Sequence, residues 1–427
     1  MPAPHADLRE ALVQELYDNG SLHEARVAAA FRAVPRHMFL PHLAPAAAYR
    51  DEAIPTKYAP DGTHAISSSS QPSIMAIMLE QLDVQPGQRL LEIGAGTGYN
   101  AALLAYLTGP TGQVTTLDLD DDIVAAAREH LAAAGFAQVE TVTADGALGY
   151  PPGAPYDGII LTVGAWDIAP AWYSQLRPGG KLVLPLEVAP GSQKSAALVK
   201  PTSPEPSGRW FISESLRECG FMTLRGTLAH PEIYLPLDVE NNLTVISDLP
   251  LPASAEAIAA WLRAGGHVSP TGISLTRQDL FGSVIGWLGL QAPDVATLLA
   301  SGAALRDSAT PYVAEYGRAT HRRRLTKGLF GKDGGCLLGH GPGEAPSADD
   351  NAPFALWLWT YGPDPAPAKA RLFAILNEWE SRDRLGRRGL TLEVFDRAAP
   401  PPTLPVAGVI VEKPATRLRL TYAPPVR

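Results

Sequence analysis

Short apolar runs recur through the first half of the chain, and helical periodicity follows each of them. Leu90-Leu91-Glu92-Ile93 reads as a buried strand that runs into a glycine turn and the start of a helix. Val114–Asp118 reads as the next strand, and the alanine-rich Ile123–Ala134 as the helix after it. Val139–Thr143 and Tyr156–Leu161 are a third and a fourth strand. Leu176–Pro185 combines a helix end, a Pro-Gly-Gly turn and a fifth strand. Five strands alternating with helical segments predict an α/β doubly wound sheet, with ligands at the carboxyl ends of its strands. Ahead of them the pattern predicts helix over Met1–Ala30, a loop-rich Val34–Pro72 and a helix over Gln71–Leu82 covering the sheet edge. After them, Ser192–Leu198 and Gly208–Ile212 read as an antiparallel pair.

The pattern changes beyond Pro236. Ala253–Ala264 and Ala368–Ser381 have helical periodicity, while Phe354–Thr360, Val406–Val411 and Leu418–Tyr422 read as strands. Gly331–Pro353 is glycine-rich and polar, so a loop or crossing linker is expected there. The expected division is 1–236 for the doubly wound domain and 237–427 for an additional α+β domain. A length of 427 residues and an apolar fraction of 46% fit two cores.

Charge and cysteine content narrow the classes. The net charge is −9 and no long basic run occurs, so nucleic acid is not an expected partner. His321–Lys327 is the densest basic cluster and reads as a solvated helix face, with a docking patch for an acidic peptide as the alternative. Cys219 and Cys336 are too few and too distant for a disulfide framework or a zinc site, so no metal is expected. Met1–Ala11 carries charges and no apolar signal core, and no run of 18 apolar residues exists. These features predict a cytoplasmic protein without membrane contact.

The glycine turn carries the first chemistry. Gly94-Ala95-Gly96-Thr97-Gly98 has the spacing G-x-G-x-G, not the dinucleotide G-x-G-x-x-G. Glu92, two residues before it, would repel a pyrophosphate but suits a cationic ligand such as S-adenosylmethionine. Asp118 ends the second strand, where such folds place a carboxylate for the ribose hydroxyls. Asp145-Gly146 follows the third strand and would set a carboxylate against the adenine amino group. The candidate cofactor set is Glu92, Gly94, Ala95, Gly96, Thr97, Gly98, Asp118, Leu119, Asp145 and Gly146. Together these pieces predict a class I methyltransferase with a Rossmann-like sheet.

The N-terminal side refines this. Val34-Pro35-Arg36-His37-Met38-Phe39, then Ala48-Tyr49-Arg50-Asp51 through Pro55, then Ile66 and the run Ser67-Ser68-Ser69-Ser70 before Gln71-Pro72, stand ahead of the glycine turn. In that order they resemble the protein-L-isoaspartate O-methyltransferases, over roughly residues 8–235. The resemblance implies an active-site hydroxyl among Ser67, Ser68, Ser69 and Ser70, with Ser70 placed before Gln71-Pro72 in the family manner. Ile66, Gln71 and Pro72 are then the substrate loop. The serine run looks like a short insertion, and Ala65 and Ser73 depart from the family pattern.

The reaction asks little of side chains. A carboxylate, with a pKa of about 4, is already an anion at neutral pH and needs no general base to attack a sulfonium methyl. Alignment and exclusion of water are the demands that remain. The resemblance implies an ester that closes to a succinimide and opens to aspartate or isoaspartate. The chain also resembles extended family members associated with ribosomally made modified peptides, in lanthipeptide, lasso peptide or graspetide tailoring. On that reading the substrate is an aspartate of a cyclised precursor peptide, which the C-terminal domain recognises. The alternatives are general isoaspartate repair and a catalytically inactive peptide-binding adaptor.

Overall fold

The computed structural model describes residues 5–60, 65–230, 232–238, 242–302, 305, 311–316, 323–342, 344, 351–382, 384, 389–404 and 408–423. A two-stranded antiparallel ribbon comes first, β1 (Ile54–Tyr58) with β2 (Ala65–Ser69). Strands β3 (Arg89–Ile93), β4 (Gln113–Asp118), β5 (Glu140–Thr143), β6 (Tyr156–Leu161), β7 (Leu176–Ala189), β8 (Ser192–Val199) and β9 (Arg209–Glu218) belong to the first sheet. A second sheet takes β10 (Ile233–Asp238), β11 (Leu243–Ser247), β12 (His267–Leu275), β13 (Ala296–Ser301), β14 (Ala314–Tyr316), β15 (Arg323–Phe330), β16 (Gly335–Gly339) and β17 (Phe354–Tyr361). The chain then returns to the first sheet with β18 (Leu390–Asp396), β19 (Gly408–Glu412) and β20 (Thr416–Tyr422).

The first sheet runs β19-β20-β18-β9-β8-β7-β6-β3-β4-β5. Strands β3 to β7 pair in parallel, as their apolar runs and intervening helices predict. Side-chain alternation sends Leu90, Ile160 and Val183 into the core on one face, under helices Ala6–Asp18, Ala25–Ala33, Pro72–Leu82 and Tyr99–Thr108. It sends Leu91, Ile159 and Leu182 into the other, with Trp172. Helix Pro72–Leu82 lies over β7 and β8 rather than at an edge: Gln81 Nε2 donates to the Ser195 carbonyl and to Ser215 Oγ.

Three expectations change. The sheet does not stop near residue 236: β18 pairs with β9, and Leu392, Val394, Leu418 and Leu420 are buried in the same core as Leu91. The first strands and the last strands of the chain thus form one sheet across the expected boundary. Within the expected linker Gly331–Pro353, Gly335–Gly339 is a wholly buried strand. Its glycine answers close packing rather than a turn, since a Cβ on Gly335 would sit 2.6 Å from the Phe330 ring. The basic cluster is no helix face: Arg323–Lys327 opens β15, and Lys327 is buried. His321 and Arg322, residues 343 and 345–350, and residues 405–407 of the expected Val406–Val411 strand lie outside the described residues. Among the described residues, no helix is long and apolar enough to cross a membrane.

Candidate active site

The carboxyl ends of β3, β4 and β6 frame a cleft, roofed by the β1–β2 ribbon and by the segment Met222–Arg225. It is lined by Ile66, Ser67, Ser68, Ile93, Gly94, Gly96, Leu117, Asp118, Leu119, Ala144, Gly146, Thr162, Val163, Met222, Thr223, Leu224 and Arg225. Gly94 and Gly96 have positive φ, 103° and 51°. A Cβ on Gly94 would lie 2.5 Å from Thr162 Oγ1, and one on Gly96 3.2 Å from the Ser68 carbonyl. Only glycine gives both the turn and an open floor here.

Asp118 ends β4 at the cleft. Its Oδ2 accepts from Gly96 N–H (3.2 Å) and its Oδ1 from Leu119 N–H (2.9 Å). Burial raises its pKa against the pull of those donors. Leu119 is part of the lining. Asp145 stands just behind Ala144 and Gly146. It accepts from Ala147 N–H (3.0 Å) and Thr227 N–H (2.8 Å). Burial pushes its carboxyl up, but those two donors outweigh it and hold it below the usual range.

Glu92 is not at the cleft. It is fully buried, with Oε1 accepting from Asn100 Nδ2 (2.8 Å) and Oε2 from Thr116 Oγ1 (2.6 Å). The glycine turn folds the next helix back so that Asn100 meets the carboxylate. Glu92 therefore joins β3, β4 and that helix instead of facing a ligand. Burial lifts its pKa to about 7, against the Thr116 and Asn100 bonds. Ala95, Thr97 and Gly98 also pack beneath the surface rather than line it.

The serines are not a loop. Ser67, Ser68 and Ser69 belong to β2, opposite Lys57, Pro55 and Ile54. Ser67 accepts from Thr56 Oγ1 (3.1 Å) and is buried, as is Ser69. Ser68 is part-exposed and lines the cleft, whereas Ser70 does not. The Ser70 carbonyl accepts from Nη2 of the wholly buried Arg36 (3.0 Å), whose Nε donates to the Ala48 carbonyl (2.8 Å). Asp51 accepts from Ser73 N–H (2.8 Å) and Gln71 Nε2 (3.1 Å), anchoring the start of helix Pro72–Leu82. The V-P-R and A-Y-x-D motifs thus brace the corner that ends the serine strand.

The segment after β9 is the part sequence reasoning missed. Met222 and Leu224 bond to Gly164 beyond β6 (2.7 Å each), and Arg225 pairs with Asp120 beyond β4 (2.9 Å). Lys57 of the ribbon reaches the same Asp120 (2.8 Å), so both covers of the cleft meet on one carboxylate. Arg225 and Lys57 hold Asp120 below the usual carboxylate range. Phe221–Leu224 has no period and no motif, and its only sequence signal was a short apolar run beside an arginine.

Comparison with known proteins gives the arrangement a family. The model of protein-L-isoaspartate(D-aspartate) O-methyltransferase matches residues 7–225. A protein-L-isoaspartate O-methyltransferase of Methanopyrus kandleri is 41% identical over 179 residues, covering 42% of this chain and 76% of its own. One of Ignicoccus hospitalis is 36% identical over 216 residues, covering 51% of this chain and 96% of its own. A solved protein-L-isoaspartate O-methyltransferase aligns over 92% of this chain and 98% of its own, at 22% identity and a TM-score of 0.49. The chain belongs to the protein-L-isoaspartate(D-aspartate) O-methyltransferase family and is an S-adenosylmethionine-dependent protein carboxyl O-methyltransferase.

Proposed function

We propose that the cleft between the β3 turn and the β1–β2 ribbon holds S-adenosylmethionine, and that the substrate's side-chain carboxylate enters beside Ser68. The glycine floor that a Cβ would fill is the observation that carries the cofactor assignment. When bound, S-adenosylmethionine supplies the methyl group. Asp118 offers both oxygens at the strand end to the two ribose hydroxyls, as charge-assisted acceptors. Gly94 and Gly96 let backbone close on the ligand, Leu119 and Gly146 flank the base, and Asp145 keeps acceptor capacity toward the adenine amino group. Glu92 serves by holding Asn100 and Thr116 in place. Ser68, on the ribbon side of the cleft, holds the substrate carboxylate's second oxygen, while Ser67, Ser69 and Ser70 shape its strand. The carboxylate needs positioning rather than deprotonation.

The substrate we propose is an aspartate in a constrained, cyclised precursor peptide. Its methyl ester is displaced by the next backbone nitrogen to give a succinimide, with loss of methanol. The large C-terminal region, whose β10 begins shortly after the segment that roofs the cleft, supports a dedicated recognition role. A second reading, repair of isoaspartyl proteins at large, is supported by the names and the 41% and 36% identity of the relatives. Full-length enzyme decides between them. On a constrained aspartyl peptide, mass spectrometry should show a methyl ester and then a species lighter than the starting peptide by one water. Efficient turnover of unrelated linear isoaspartyl peptides, with no product from constrained aspartyl ones, would sink the precursor reading in favour of repair.

A further inference from the structure

A second polar cluster lies on the far side of the cover segment. Glu187 near the end of β7, His230 shortly after the Met222–Arg225 cover, and Asp248 just after β11 each bring one donor atom to the cluster. Those donors lie within 4.8 Å of one another. Among the described residues this is the one such grouping of histidine, cysteine and carboxylate side chains. The His230 side chain is 9% exposed, and its Nδ1 is buried without a hydrogen-bond partner. A polar nitrogen left so is unfavourable unless something else meets it. Its distance to Asp248 Oδ1 is 3.8 Å, too long for a hydrogen bond. Ligands about 2.0–2.2 Å from a tetrahedral zinc are themselves about 3.3–3.6 Å apart, so a small side-chain rotation brings the pair to coordinating distance.

Two lysines border the cluster, Lys327 and Lys413. Lys327 donates to Thr297 Oγ1 at 2.6 Å. Lys413 lies over the Trp166 ring (5.4 Å), against which the His230 ring also packs (4.7 Å). Trp166 thus fixes the imidazole plane while Nδ1 stays free.

We propose that Glu187, His230 and Asp248 form a site for a divalent transition ion of the zinc type. One imidazole and two carboxylates suit such an ion better than magnesium or calcium, which take oxygen alone. Bound there, the ion fastens the end of the segment that roofs the methyl-transfer cleft to β7 on one side and to the second sheet on the other. The cysteines gave no hint of this, because the donors come from three distant stretches of the chain and none is sulfur.

The test uses full-length protein, freed of metal with a chelator and titrated with zinc and with cobalt. Calorimetry should give one zinc per chain, and cobalt should show the visible absorption of a low-coordinate site. Zinc should also raise the thermal midpoint. His230→Ala and Asp248→Asn should each weaken zinc binding by about 10–100-fold or more and abolish the thermal shift. Circular dichroism of both variants checks the fold, and Asp248→Asn, part-exposed and close in shape, carries the result if His230→Ala does not fold. Absence of saturable binding to the wild type, or unchanged binding in a folded variant, overturns the proposal. The cluster would then be an ion-pair network closed by Lys327 and Lys413. Neither outcome depends on which peptide the enzyme esterifies.

Discussion

Asp167 gives the sharpest test of whether the last strands are part of the catalytic sheet. It lies beyond β6 and is 0% exposed. Its carboxylate accepts from Ala415 N–H (2.6 Å) and Thr416 Oγ1 (2.6 Å) in the β19–β20 hairpin, and from Ile168 N–H (2.7 Å). Asp167→Ala strands these three donors. The Thr416 hydroxyl can rotate to another acceptor, but the two backbone N–H groups cannot. At about 1–3 kcal/mol for each buried unsatisfied donor, the loss should be about 3–5 kcal/mol. At about 2.1 cal/mol/K per residue, a cooperative unit of about 400 residues shifts by only about 1 °C per kcal/mol, so the thermal midpoint should fall by roughly 3–6 °C. Because β18 is zipped to β9, one cooperative transition should move as a whole, followed alike by tryptophan fluorescence and by residual methyl transfer. Asp167→Asn, which keeps the shape but turns an amide NH2 toward a donor, should lose less. If Asp167→Ala melts in two steps, with the cofactor cleft surviving at the wild-type temperature, the strands beyond residue 389 are an appendage and the single-sheet account fails. The same geometry predicts that a chain cut near Pro236 is not a usable catalytic fragment. It would strip Leu392, Val394, Leu418 and Leu420 from the core that Leu91 shares.

Three further outcomes follow from the cleft and the residues that brace it. Gly96→Val, forced against the Ser68 carbonyl at a φ of 51°, and Asp118→Ala, missing two ribose bonds worth roughly 1.5–3 kcal/mol each, should both lose at least about tenfold in S-adenosylmethionine affinity. Calorimetric affinity equal to wild type in either variant would displace the pocket. Ser68→Ala should slow esterification with cofactor affinity nearly intact, while Ser70→Ala, whose contribution is a backbone carbonyl to Arg36, should change turnover little; the reverse order in steady-state kinetics would move the substrate clamp to Ser70. Glu92 has a folded pKa of about 7, above its ordinary 4.5, so it favours the folded state fully below about pH 4.5 and loses that contribution as pH rises through 7. Glu92→Gln cannot ionise, so its stability relative to wild type should climb by about 2–3 kcal/mol from pH 5 to pH 8, and parallel urea-denaturation curves across that range would refute the shift.

How far the sequence reached depended on the range of the cause. The parallel strands and the glycine turn were legible because their signals are local: apolar runs, positive-φ glycines, an acid at a strand end. The partnership of β9 with β18 was not, because two residues such as Phe211 and Val394 carry no mark of each other across the chain. Composition misled in two places for opposite reasons. In Gly335–Gly339 the glycines that looked like loop residues are there because neighbouring side chains crowd the strand. In Arg323–Lys327 two charges that looked solvated are paired or buried, Arg324 with Glu315 at 2.7 Å and Lys327 in the interior. Glu92 and Ser70 were given cleft roles by their motif positions, and the fold gave both to bracing instead. A motif records which residues a site needs, but not which of them touch the ligand.

That distinction bears on how the cleft and the C-terminal region are coupled. The segment from Met222 to His230 touches the ends of three catalytic strands in turn: Gly164 past β6, Asp120 past β4 and Asp145 past β5. Trp166 then fixes its far end, donating to the Leu228 carbonyl at 3.1 Å while packing on His230. Hydrogen bonds, an ion pair and a ring face hold the segment, and Leu224 is buried in the core that Leu91 shares, with Leu228 packed against it. Its carboxyl end continues into β10, at the edge of the second sheet. The second sheet and the Glu187–His230–Asp248 cluster are therefore joined to the roof of the methyl-transfer cleft by a short stretch of chain.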